Sequence, residues 1–234
     1  MNTIKYIKKV IGLIIPLLII VGCAAPYKIM PPFEREERQL QTIALYPLHF
    51  SKDGKEERLF GLTFSDMFFD EVKGMNYTKP LQFILPDSTV SVFEKAGISV
   101  KSTVRGIVDK SDVSTEYPVY KRLSSSEFKA ISNQVDGVIF CDLTSYNEVG
   151  SGEQLGQAVA TACLTGGMVS ASEQNRVRMK ISLFSTKIDS VLWEYKPHLT
   201  KSLSGRESTR SSFSTDITNG FRKYFPLSKE FQPK

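Results

Sequence analysis

Histidine is scarce in this chain: His49 and His198 are the two in 234 residues, and each is isolated. Metal centres assembled from closely spaced His, Cys and carboxylate ligands are therefore not expected. No Gly-x-Ser-x-Gly elbow, phosphate-binding glycine loop or dinucleotide fingerprint occurs either. The sequence thus predicts no cofactor, no catalytic residue and no enzyme. His49 follows an apolar run and His198 follows a proline, so both read as solvated loop positions. Asp66, Asp70 and Glu71 lie close together and read as the solvated acidic face of a helix, and Trp193 reads as core.

A strong net charge is also missing. The formal charge of +5 includes Lys5, Lys8 and Lys9, which share residues 1–22 with no acid. Without that segment, 27 basic side chains face 25 acidic ones. A near-neutral domain has no long-range field for a phosphate backbone, so nucleic acid is excluded as a partner.

Long apolar runs are confined to the start of the chain. Residues 10–22 carry no charge and follow the three lysines, the layout of a secretory signal. Thirteen residues at ~1.5 Å each reach ~20 Å, short of a ~30 Å hydrocarbon core, and Pro16 interrupts them. The run ends in Ile20-Val21-Gly22-Cys23, which resembles the bacterial lipobox. The resemblance implies cleavage before Cys23 and acylation of its thiol, leaving a membrane partner bound through N-terminal lipid. At ~0.8 kcal/mol per buried CH₂, several acyl chains anchor permanently. Ala24, where inner-membrane retention usually has Asp, points to the outer membrane, periplasmic face. Residues 23–40 hold Pro26, Pro31 and Pro32 and read as an extended tether, with folding expected from residue 41.

Residues 41–228 read as one domain, and 229–234 as a tail. Thr42–Leu48 suits a buried strand, Leu59–Val72 has helical spacing with Gly74 as a stop, and Gln82–Leu85 is a second strand. Pro86 opens a helix that Gly97 closes. Residues 99–120 are ambiguous, a loop with a short strand. Ser124 and Glu127 form a capping signal, and Gly137–Leu143 is an apolar strand. Arg176–Phe184 alternates and turns through Lys187–Ser190 into Val191–Tyr195, a hairpin. Phe213, Ile217, Phe221 and Tyr224 share a helix face that Pro226 ends. The predicted class is α/β: a single α/β sandwich with a mixed sheet.

Three of these segments resemble a known group. Ile43-Ala44-Leu45-Tyr46-Pro47, Val135-Asp136-Gly137-Val138-Ile139 and Asp189-Ser190-Val191-Leu192-Trp193 are similar to strands of periplasmic lipoproteins. The group comprises curli-secretion-channel lipoproteins, lipoprotein activators of penicillin-binding proteins and the N-terminal domain of the Tol–Pal translocation protein. The resemblance implies the same α/β fold and an accessory or structural role, although Ser190 and Gly137 depart from the usual Gly and Ala.

Cys141 and Cys163 remain once Cys23 carries lipid, and both are expected to be free thiols. Residues 154–172 are uncharged and rich in Ala, Gly, Ser and Thr. As a helix they place Gly156 with Ala160, and Ala158 with Ala162 and Gly166, in rows that permit close backbone approach. As a hairpin, Gly166 and Gly167 make the turn. Either form predicts a contact with a protein partner, a second copy or the membrane; a buried crossover is the alternative. Two functions stay open: an accessory or structural subunit of an envelope assembly in secretion or wall synthesis, and a stand-alone small-molecule or glycan-binding lipoprotein.

Overall fold

The computed structural model describes residues 25–52, 54–107, 114–148, 175–201 and 206–233. Its frame is a mixed sheet of eight strands: β1 (Tyr27–Ile29), β2 (Thr42–Leu45), β3 (His49–Phe50), β4 (Gln82–Ile84), β7 (Gly137–Asn147), β8 (Asn175–Ser185), β9 (Ser190–Tyr195) and β10 (His198–Lys201). The order across it is β1-β9-β8-β7-β2-β4, with β3 on the far half of β7 and β10 on the far half of β8. β2 runs parallel to β4 and β7, and the β7–β8–β9–β1 side is antiparallel. The remaining strands, β5 (Lys101–Ile107) and β6 (Ser114–Tyr120), form a separate antiparallel pair.

Helices cover both faces, which is why β7 is apolar on both sides rather than alternating. Helices α2 (Lys55–Gly74) and α5 (Arg206–Tyr224) cover one face, with Phe60, Phe64, Phe68, Phe213, Ile217 and Phe221 packed on Ile43, Leu45, Ile139 and Trp193. Spacings of four residues line the α2 phenylalanines up, and their rings stack at 5.9 and 4.8 Å. Helices α3 (Pro86–Lys95) and α4 (Ser125–Lys129) cover the other face, where Val90, Phe93 and Phe128 meet Ala44, Tyr46, Val138 and Phe140. The predicted α/β class with a mixed sheet is the observed one. Ser124 and Glu127 make both bonds of the capping box, Gly97 closes α3 at φ +78°, and the 176–195 hairpin is present.

Several boundaries differ: α2 begins at Lys55 rather than Leu59, β7 runs on to Asn147, and three others have a visible cause. The stretch expected as a tether over 23–40 is extended at Tyr27–Ile29, but there it is β1, paired with Trp193–Tyr195. Phe33, on the short helix α1 (Phe33–Glu36), and Leu40 are buried at 3% and 1% exposure. Their apolar surface draws the segment onto the body, so the described fold begins before residue 41. Residues 99–120 hold β5 and β6 instead of one short strand. The last helix starts at Arg206 rather than Phe213, because Arg210 is held by an ion pair that overrides the weak propensity of a serine-rich run.

Candidate functional site

Parallel strands β2 and β4 both end beside one groove. Pro47 and Leu48 follow β2, Leu85, Pro86 and Asp87 follow β4, and together they line one side. Helix α2 contributes Arg58, Leu62, Asp66, Phe69 and Asp70, while Tyr117 and Tyr120 come from β6. The carboxyl ends of parallel strands are where open α/β sheets bind ligands, and the groove's volume of about 580 Å³ suits a drug-sized molecule or a few side chains. Its floor is apolar, with Leu48 and Phe69 nearly buried, and its rim leaves Leu62 56% and Leu85 39% exposed.

The groove's polar groups divide by sign. Arg58 donates from Nη1 to the Tyr117 hydroxyl at 2.8 Å and lies 4.7 Å over that ring, so its charge is held against the hairpin. Asp66 and Asp70 are exposed, one turn apart, and make no ion pair among the described residues. Glu71, grouped with them in the sequence, turns away and pairs with Arg222 on α5. Burial, then the nearby Asp87 charge, pushes the Tyr120 hydroxyl above its ordinary range, so the phenol stays neutral and can donate.

A second polar cluster sits beside the groove wall. His49 Nδ1 lies 2.9 Å from Asp142 Oδ1, which also accepts from Ser51 Oγ at 2.8 Å. His49 is thus a half-buried sheet residue stacked on Phe140, not the solvated loop histidine expected. His198, also expected in a loop, is exposed but opens β10, where Nε2 accepts from Arg178 at 3.3 Å. Burial pushes the Asp142 carboxyl up, but bonds from His49 and Ser51 and the charges of His49 and Arg122 outweigh it and hold it below the usual range. A carboxylate depressed on folding stabilises the fold above its unfolded pKa and loses that contribution as pH falls through the folded value. An Asp142→Asn variant is therefore expected to lose less stability than the parent when denaturant midpoints are compared at pH 6 and below about pH 4.

Cys141 is a free thiol with no exposed surface, and burial pushes it far up, which makes it unreactive. Trp193 is core as expected, donating Nε1 to the Tyr224 carbonyl at 3.0 Å. Among the described residues no group of three His, Cys, Asp or Glu could hold a metal ion, and no helix is long and apolar enough to cross a membrane. Ile20, Val21, Gly22 and Cys23 lie outside the described residues, as do Cys163 and the proposed contact residues Gly156, Ala158, Ala160, Ala162, Gly166 and Gly167. Sequence reasoning noticed Asp66 and Asp70 but missed the groove, whose walls come from segments far apart in the chain.

No family model matches this chain, and no curated protein matches it. Among solved structures it is similar to the PelC dodecamer from Paraburkholderia phytofirmans, with 8% identity, 78% of this chain and 88% of that one covered, and a TM-score of 0.36. Lipoprotein GNA1162 from Neisseria meningitidis matches at 12% identity over 76% of this chain and 96% of that one, TM-score 0.37. The hypothetical protein CT253 from Chlamydia trachomatis matches at 12% identity over 82% and 84%, TM-score 0.38. The solved structures it resembles thus include a lipoprotein and a homo-oligomer.

Proposed function

We propose that this chain is a non-enzymatic lipoprotein of the bacterial envelope, anchored through acylated Cys23 to the periplasmic face of the outer membrane. In this reading it acts as an accessory or structural subunit of a secretion or wall-synthesis assembly. One observation carries the reading: the Pro26 carbonyl already accepts from Lys196 N at 2.7 Å, immediately before β1. From Cys23 to Pro26 is at most about 11 Å of chain. So short a link holds one edge of the sheet close to the bilayer and restricts the domain's orientation. A fixed orientation raises the effective concentration of neighbours in the membrane plane, which serves a subunit and gives nothing to a protein that captures diffusing solutes.

Extraction of the lipidated protein in mild detergent, followed by native mass measurement, tests this. A stable oligomer or hetero-complex is the expected result; a monomer alone would overturn the reading. The second reading, a stand-alone small-molecule or glycan-binding lipoprotein, draws on the groove's volume and apolar floor. It predicts that monomer, with a ligand protecting the groove.

A further inference from the structure

We infer that the groove beside α2 receives a second copy of this chain, presented through the opposite edge of its sheet at Lys28 and Ile29. The inference rests on the assembly reading and names its contact surface. Charge complementarity is the first argument. In the groove Asp66, Asp70 and Asp87 face one guanidinium, Arg58, an excess of two negative charges. At the β1 edge Lys28 is exposed and makes no ion pair among the described residues, and Glu194 on neighbouring β9 is bonded by Lys196 at 2.8 Å and by Lys180 of β8 at 2.5 Å. Along β1 and β9 the two lysines, Lys28 and Lys196, thus outnumber Glu194. Asp66 and Asp70, at an i,i+4 spacing, repel one another, and an incoming lysine relieves this.

Apolar surface is the second argument. Five large apolar side chains are exposed among the described residues. Three of them belong to these two surfaces: Leu62 and Leu85 at the groove rim, and Ile29, 37% exposed, beside Lys28. The third argument is position. Register carries Lys28 across Glu194 and Ser182 to Phe140 on β7. The groove wall after β2 begins at the same level, where Tyr46 N donates to the Ile139 carbonyl. The two surfaces therefore sit at opposite edges of one sheet and at one height along its strands, as a lateral contact between anchored neighbours requires. β1 and β4 are three residues each, too short for strand addition, which leaves side chains to make the contact. Because unlike surfaces meet, the contact is head-to-tail and builds a ring or an open row.

Charge reversal on the full lipidated chain in mild detergent tests this by native mass. Lys28→Glu alone and the pair Asp66→Lys/Asp70→Lys alone are each expected to shift the oligomer to monomer. Combining all three substitutions in one chain is expected to restore the wild-type mass, because each altered edge again meets an opposite charge. Circular dichroism checks the fold of each. If the lysine pair unfolds, Asp66→Asn/Asp70→Asn replaces it, and at least a tenfold rise in the dissociation concentration is expected. An oligomer unchanged by either reversal overturns the inference, as does a folded triple variant that stays monomeric. A wild-type complex with other proteins but no copy-to-copy contact overturns it too, while leaving the subunit reading standing; a wild-type monomer overturns both.

Discussion

A Cys23→Ser variant is expected to incorporate no fatty acid and to accumulate as an unprocessed precursor. The chemistry is all-or-none, because acylation needs a thiolate sulfur to form the thioether and cleavage follows acylation at that residue. The motive is Ile20-Val21-Gly22-Cys23, placed directly after an uncharged run of ordinary signal length. Metabolic labelling with a radioactive or alkynyl fatty acid, read beside the mass of the mature N-terminus, decides it. Label surviving in the serine variant would sink the lipoprotein reading, whatever the domain does. Loss of label with a normally shortened chain would instead mean that another peptidase cuts here.

The second large effect is expected at Arg210. Its guanidinium grips Glu148 with two bonds, Nε to Oε2 and Nη2 to Oε1, both 2.6 Å. The side chains are 8% and 1% exposed, and the Tyr146 hydroxyl donates to the same carboxylate at 2.8 Å. The pair ties the end of β7 to the first turns of α5. Arg210→Ala removes this bidentate counter-charge from a buried carboxylate, and breaking a buried pair in this way costs about 3–5 kcal/mol. For a domain of this size that is a fall of roughly 6–20 °C in melting temperature. Replacing both partners with well-packed apolar side chains is expected to cost far less, because no buried charge is then left uncompensated. Thermal unfolding by circular dichroism separates the two cases; equal losses would show that the pair acts only as packing.

The parts of this fold that the sequence made legible are those with strong local signals. Gly137–Leu143 is apolar throughout because helices cover both faces of β7. Arg176–Phe184 alternates because it is paired and half-exposed at one end. Ser124 and Glu127 sit three residues apart, and their capping box needs no tertiary partner. What was misread depends on distant contacts. Pro26, Pro31 and Pro32 suggested a free tether, yet Tyr27 stacks on Tyr224 at 5.2 Å, nearly two hundred residues away in the chain. β5 gives no alternation because its residues 101–105 are all exposed, so neither strand periodicity nor burial marked it. The groove was invisible for the same reason: α2 is readable, but its opposing wall is β6, and nothing local says that Arg58 will lie over Tyr117. His49 and Asp142, 93 residues apart, meet only because β3 runs parallel to β7.

The pairing of β1 with β9 also sets an order of events during folding. Tyr27 has as its partner Tyr195, late in the sequence, so closing this contact requires one of the longest loops the chain can form. As the chain is made from its N-terminus, β1 waits for almost the whole domain to emerge before it can join the sheet. Until then Tyr27 stands without its strand partner. The first strand of the described fold is therefore among the last to become native, and a chain interrupted before residue 190 never pairs it.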